Sequence, residues 1–118
     1  MLEIEKDAAI YLACGNTDMR KSINGIMIIV QESFSLDPFG DTMFVFCNRQ
    51  RNRLKILRWD ENGFWLYFKR LEKGHFKWPL LGEIGILDLN FTELLNLLEN
   101  TKLEQKLRRN QVIERKIS

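Results

Sequence analysis

At 118 residues, with 45% hydrophobic and 29% charged side chains, the chain has the size and composition of one folded domain that buries about two-thirds of its unfolded surface. That composition excludes a disordered polyelectrolyte, and no apolar run approaches the roughly 20 residues of a membrane span. The net charge of +2 hides a segregation: residues 1–48 hold three Lys/Arg against seven Asp/Glu, 49–77 nine against three, 78–101 none against four and 102–118 six against two.

The first residues, MLEIEKD, are acidic, with no basic segment ahead of the short apolar run that follows. They read as a cytoplasmic protein without a signal peptide. Ala8–Cys14 is predicted as a strand closed by Gly15-Asn16. Thr17 or Asp18 offers an N-cap for a helix from about Met19 to Ser33, whose apolar face would carry Met19, Ile23, Ile26, Met27, Val30 and Phe34. Ile28 falls on the opposite side, and Gly25 inside the helix points to close packing.

Leu36–Asp41, with Pro38 excluding helical geometry at Asp37, is a loop. A meander follows: strands at Met43–Cys47, Arg53–Trp59 and Phe64–Leu71, turns at Asn48–Asn52 and Asp60–Gly63 (Gly63 supplying positive φ), then a turn into Phe76–Trp78, stopped by Pro79. The short hairpin sets Trp59 against Phe64, Arg58 against Trp65, Leu57 against Leu66 and Ile56 against Tyr67. Alternation then makes one face of Leu57, Trp59, Phe64, Leu66 and Phe68, suited to lie under a helix. The other, amphipathic, mixes Leu54, Ile56, Arg58, Trp65, Tyr67 and Lys69. Leu80–Leu89 reads as an irregular connection, and Asn90–Glu93 as a capping box opening a helix with Phe91, Leu94, Leu95 and Leu98 on one face. Residues 1–101 are thus expected to form a single α+β domain: an antiparallel meander sheet of four to five strands with two packed helices. Residues 102–118 are a basic extension, helical or frayed.

Catalysis would need carboxylates, or a nucleophile and base, brought together. Here Asp18, Asp37, Asp41, Asp60 and Glu61 fall at a cap, a loop and a turn, where each has a structural use. His75 is the sole histidine, Cys14 and Cys47 form no CxxC pair, and no phosphate-binding glycine loop is present. We therefore expect no enzyme, no cofactor and no metal, and read the cysteines as buried thiols.

The one concentrated constellation is basic: Arg49, Arg51, Arg53, Lys55 and Arg58, then Lys69, Arg70, Lys73 and Lys77. Such clusters bind a phosphate backbone by charge neutralisation and counterion release, and neighbouring aromatics (Trp65, Tyr67, Phe76, Trp78) could stack on bases. The competing reading is the solvated face of an antiparallel sheet with the tryptophans in the core.

The words YLACGNTDMRKSINGI, LDPFGD and MFVFCNRQRNRLKILRWDENGFWLYFKRLEKGHFKWP strongly resemble the small TnpB-type accessory protein, product of the second open reading frame, of the sixty-six family of bacterial insertion sequences. The likeness runs from Tyr11 to Pro79, with Cys47 and His75 at positions where that family commonly has arginine. The resemblance implies a helper for DNA transposition that works beside a separate, larger transposase carrying the carboxylate chemistry. On that basis the leading expectation is a non-enzymatic factor binding element DNA through its basic, aromatic sheet surface. The alternative is an adaptor that docks to the transposase through exposed Ile28, Trp65 and Tyr67 without touching DNA. A minor third reading is a metal-dependent nuclease using Asp60 or Glu61.

Overall fold

The computed structural model describes residues 8–79 and 85–99. The predicted extension 102–118 and residues 80–84 of the predicted connection lie outside the described residues. In chain order the elements are β1 (Ala9–Ala13), α1 (Ile23–Ile28, continuing as one π-helical turn over Ile29–Ser33), β2 (Thr42–Cys47), β3 (Arg53–Asp60), β4 (Gly63–Arg70), β5 (Ile86–Leu89) and α2 (Phe91–Glu99). One five-stranded sheet has the order β4-β3-β2-β1-β5.

The meander and its register are as read: Trp59 lies opposite Phe64, Arg58 opposite Trp65, Leu57 opposite Leu66 and Ile56 opposite Tyr67. The positive φ of that turn belongs to Glu61 (49°), however, and not to Gly63.

The sheet as a whole is mixed, not an antiparallel meander. β1 runs parallel to β2, with Ile10 opposite Met43 and Leu12 opposite Val45, because α1 carries the chain back across the sheet between them. β5 then pairs antiparallel on the other edge of β1, Leu12 facing Leu87. Those four residues were expected to be irregular; they alternate buried Leu87 and Leu89 with exposed Ile86 and Asp88, too short a period to stand out. Phe76–Trp78, expected to extend the ladder, is not a strand. It inserts Phe76 and Trp78 into the core, and the Trp78 indole N–H donates to the Ala13 carbonyl at 3.2 Å.

Each face of the sheet has its own core. Ala13, Phe44, Phe46 and Leu57 pack under Ile26 and Val30 of α1. Ile10, Leu12, Met43, Val45, Leu54 and Ile56 pack under Leu94 and Leu97 of α2 together with Phe76 and Trp78. Coverage on both sides explains why β2 is an unbroken apolar run, and burying each such side chain stabilises the fold by about 1.5–3 kcal/mol. It also corrects the expected amphipathic face, which is core at Leu54 and Ile56.

Both helices differ from their predicted forms. α1 starts at Ile23, four residues later than expected, because the Asp18 carboxylate does not cap it. Instead that carboxylate turns onto the backbone N–H and guanidinium of Arg20. A Cβ on Gly25 would stand 3.1 Å from Lys21 Cβ, so the Lys21 side chain packs closely on the helix there. In α2 the capping box is complete: Glu93 N–H donates to Asn90 Oδ1 at 2.8 Å and Asn90 N–H to Glu93 Oε1 at 2.9 Å. Its buried stripe is Leu94 and Leu97, while Leu95 is turned outward.

Candidate nucleic-acid interface

The β2–β3 turn is built around Asn48, which is only 7% exposed. Its Oδ1 accepts the backbone N–H groups of Asn52 and Arg53, both at 3.0 Å, while its Nδ2 donates to Asn52 Oδ1 at 2.8 Å and Gln50 Oε1 at 3.2 Å. Arg51 takes the left-handed conformation, φ 60°, that closes the turn. The connection after β4 braces it from outside: Phe76 N–H donates to the Arg51 carbonyl, Leu71 N–H to that of Asn52, and His75 Nδ1 to that of Gln50 at 2.7 Å. The three arginines of NRQRNR therefore project from a fixed platform.

Between this turn and the Asn16–Arg20 loop lies an open cleft of about 720 Å³, floored by the α1 side of β3 and β4. Arg20, Arg49, Arg53 and Lys55 line it with Leu66 and Phe68, and among the described residues Asp18 is its one carboxylate. Hydrogen bonds from the Arg20 guanidinium and then from the Arg20 backbone N–H hold the Asp18 carboxyl down to about 2. Asp18 is thus ionised at neutral pH and offsets the Arg20 charge, leaving Arg49, Arg53 and Lys55 as the excess. Among the described residues neither Arg49 nor Arg53 pairs with a carboxylate.

Lys55 is held in place. Its Nζ donates to the carbonyls of Met19 and Lys21 at 2.8 and 2.9 Å, closing the loop over the sheet, and sits 5.9 Å from the centroid of the Phe68 ring. Phe68 nevertheless remains 54% exposed. It was expected under the helix; the late start of α1 leaves this part of the sheet uncovered.

The nine basic residues singled out by the sequence do not form one patch. Arg49, Arg53 and Lys55 meet at the cleft. Arg70 lies directly opposite Arg53 on the same face and is joined to Glu72 at 2.8 Å. Arg51 shares the turn, and Lys73 and Lys77 are exposed on the connection that braces it. Arg58 and Lys69 point to the α2 side, where Lys69 donates to the Leu98 carbonyl near the end of α2. Of the proposed partner contacts, Trp65 and Tyr67 stack at 5.9 Å on the α2 side, whereas Ile28 is exposed on α1 across the sheet, so the three are not one surface. Cys47 is buried in the core on the α2 side, where burial pushes its thiol up to about 12. His75 serves the turn.

Sequence reasoning missed Arg20, Asn48 and Phe68. The flanking asparagines of NRQRN were the available signal for Asn48, since Asn side chains build turns from backbone N–H groups. Asp60 and Glu61 gather no catalytic set: Asp60 accepts the Trp65 indole N–H at 3.0 Å, and among the described residues no three His, Cys, Asp or Glu side chains converge. Nor is any helix there long and apolar enough to cross a membrane.

No solved structure matches the chain. It is similar to two proteins of Sinorhizobium fredii (strain NBRC 101917 / NGR234). One is uncharacterized protein y4hO, 35% identical over 98 residues, which cover 83% of this chain and 84% of the relative. The other is uncharacterized protein y4jC, 29% identical over 108 residues, covering 90% and 92%. The family model described as IS66 Orf2 like protein matches residues 8–108, beyond the Tyr11–Pro79 stretch where the likeness is plain by eye, and the chain belongs to that family.

Proposed function

We propose that this protein is a non-enzymatic accessory factor of transposition that binds element DNA through the β2–β3 turn and the cleft beside it. Membership of the family carries the accessory role in transposition. DNA binding rests on one observation: arginines that have no carboxylate partner among the described residues are held on a hydrogen-bonded turn around an uncovered part of the sheet. Arg70 stands directly opposite Arg53 on the same face, its charge offset by Glu72, so Arg53 is the member of that pair left to meet an anion. The contacts are to phosphate, made by guanidinium forks.

Replacing Arg49, Arg51 and Arg53 together by alanine tests this against a duplex from the element end. The wild-type protein should bind with a log–log salt slope of about −3, as three phosphate contacts require, and the triple variant should lose most of that slope. Salt-independent binding by the wild type, or no binding to either the duplex or its separated strands, overturns the reading.

A second reading, an adaptor for the transposase, is favoured by the Trp65–Tyr67 stack. Trp65 is 51% exposed beside Arg58, and Trp and Arg are typical interface anchors. Co-purification with the transposase that survives nuclease and high salt, and is lost in Trp65→Ala, supports it.

A further inference from the structure

We infer that the cleft takes an unpaired nucleotide, so that the favoured ligand is single-stranded DNA rather than duplex. The inference deepens the DNA-binding reading and rests on it. The cleft, about 720 Å³, is within the size range of pockets that enclose small molecules. Its floor presents Phe68, more than half exposed, with the Lys55 ammonium fixed beside the ring. A duplex has nothing to offer that ring, since its base faces are already stacked on one another. An unpaired base has a free face and gains by stacking there. Arg49 and Arg53, at the turn side of the cleft, then lie where the flanking phosphates would run.

Much of the polar lining is committed within the protein and not to a base edge. Asn48 uses both its oxygen and its amide nitrogen inside the turn, and Gln50 Oε1 accepts from it. Lys55 is committed to two main-chain carbonyls, and Arg20 to Asp18. Charge and stacking then carry the binding, and both are tolerant of sequence, while Asn16, Thr17 and the Gln50 amide nitrogen complete the polar part of the lining.

The test is fluorescence anisotropy of the full chain with labelled oligo-dT and with a mixed-sequence duplex of equal length, across a salt series. Oligo-dT should bind more tightly. Phe68→Ala should weaken oligo-dT binding roughly tenfold with no change in salt slope, because a ring releases no counterions, and Phe68→Trp should restore it. Phe68 is largely exposed, so a thermal melt should show both variants folded. If the duplex binds as well as oligo-dT and Phe68→Ala changes neither, the single-strand inference is overturned and DNA binding stands. If neither probe binds, the DNA-binding reading falls and takes this inference with it.

Discussion

Replacing Asn48 by alanine removes the acceptor of two backbone N–H groups, those of Asn52 and Arg53, each at 3.0 Å. A buried donor left without a partner costs about 1–3 kcal/mol. Asn48 itself is buried, but Asn52 is half-buried and Arg53 exposed, so water can reach part of the turn and the sum is about 2–4 kcal/mol. Against the usual 5–15 kcal/mol of a domain this is a large loss. With a urea m-value of about 2 kcal/mol/M, the midpoint should fall by about 1–2 M. Asn52→Ala, which removes one acceptor of the Asn48 amide, should cost only about 1 kcal/mol. Because Asn48 organises the segment that carries Arg49, Arg51 and Arg53, Asn48→Ala should also weaken DNA binding more than replacement of any one of those arginines. Hydrogen exchange should accelerate at the Asn52 and Arg53 amides. An unchanged urea midpoint together with unchanged protection of those two amides would refute this account of the turn.

Two further outcomes follow from the titrating groups. The Asp18 pKa is lowered to about 2, so its charge, and the offset of Arg20, is present above that value and lost only as pH falls through it. DNA binding should therefore show no Asp18-dependent step between pH 4 and 8, while Asp18→Asn should tighten binding and steepen the salt slope by nearly one phosphate equivalent, read by anisotropy. Cys47 is fully buried with its thiol raised to about 12, so it stays protonated at pH 8. In a native-state thiol-titration assay it should not react, and denaturant should release it; prompt native reactivity would contradict the packing of β2.

The part of this fold that was legible is the part governed by neighbouring residues. Turn length set the pairing of β3 with β4, and Asn90 with Glu93 declared the start of α2. The direction of β1 against β2 was missed although its signal was present: a helix between two strands is the usual crossover of a parallel pair. The start of α1 was misplaced because Asp18 satisfies both a capping pattern and an Asx-type turn, and Arg20 two residues on decides for the turn. The basic residues were legible one by one. Their cleft was not, for its second wall is the Asn16–Arg20 loop, brought over the sheet by Lys55 from more than thirty positions away.

Charge count is consequently a poor guide to how this surface works. Lys55 and Lys69 use their ammonium groups on main-chain carbonyls, at Met19 and Lys21 and at Leu98. An ammonium with three donors and no preferred plane is suited to that task. Arg20 and Arg70 each meet a carboxylate two residues away. What remains at the turn is Arg49, Arg51 and Arg53, whose planar forks match phosphate oxygens and whose positions are set by Asn48. The sheet thus divides its basic residues into those that hold the α1 approach and the α2 terminus in place and those left to bind. Arg58 lies on the α2 side and Lys73 and Lys77 on the connection that braces the turn, so the slope expected of the turn itself is about −3 and not the roughly −8 that nine phosphate contacts would give.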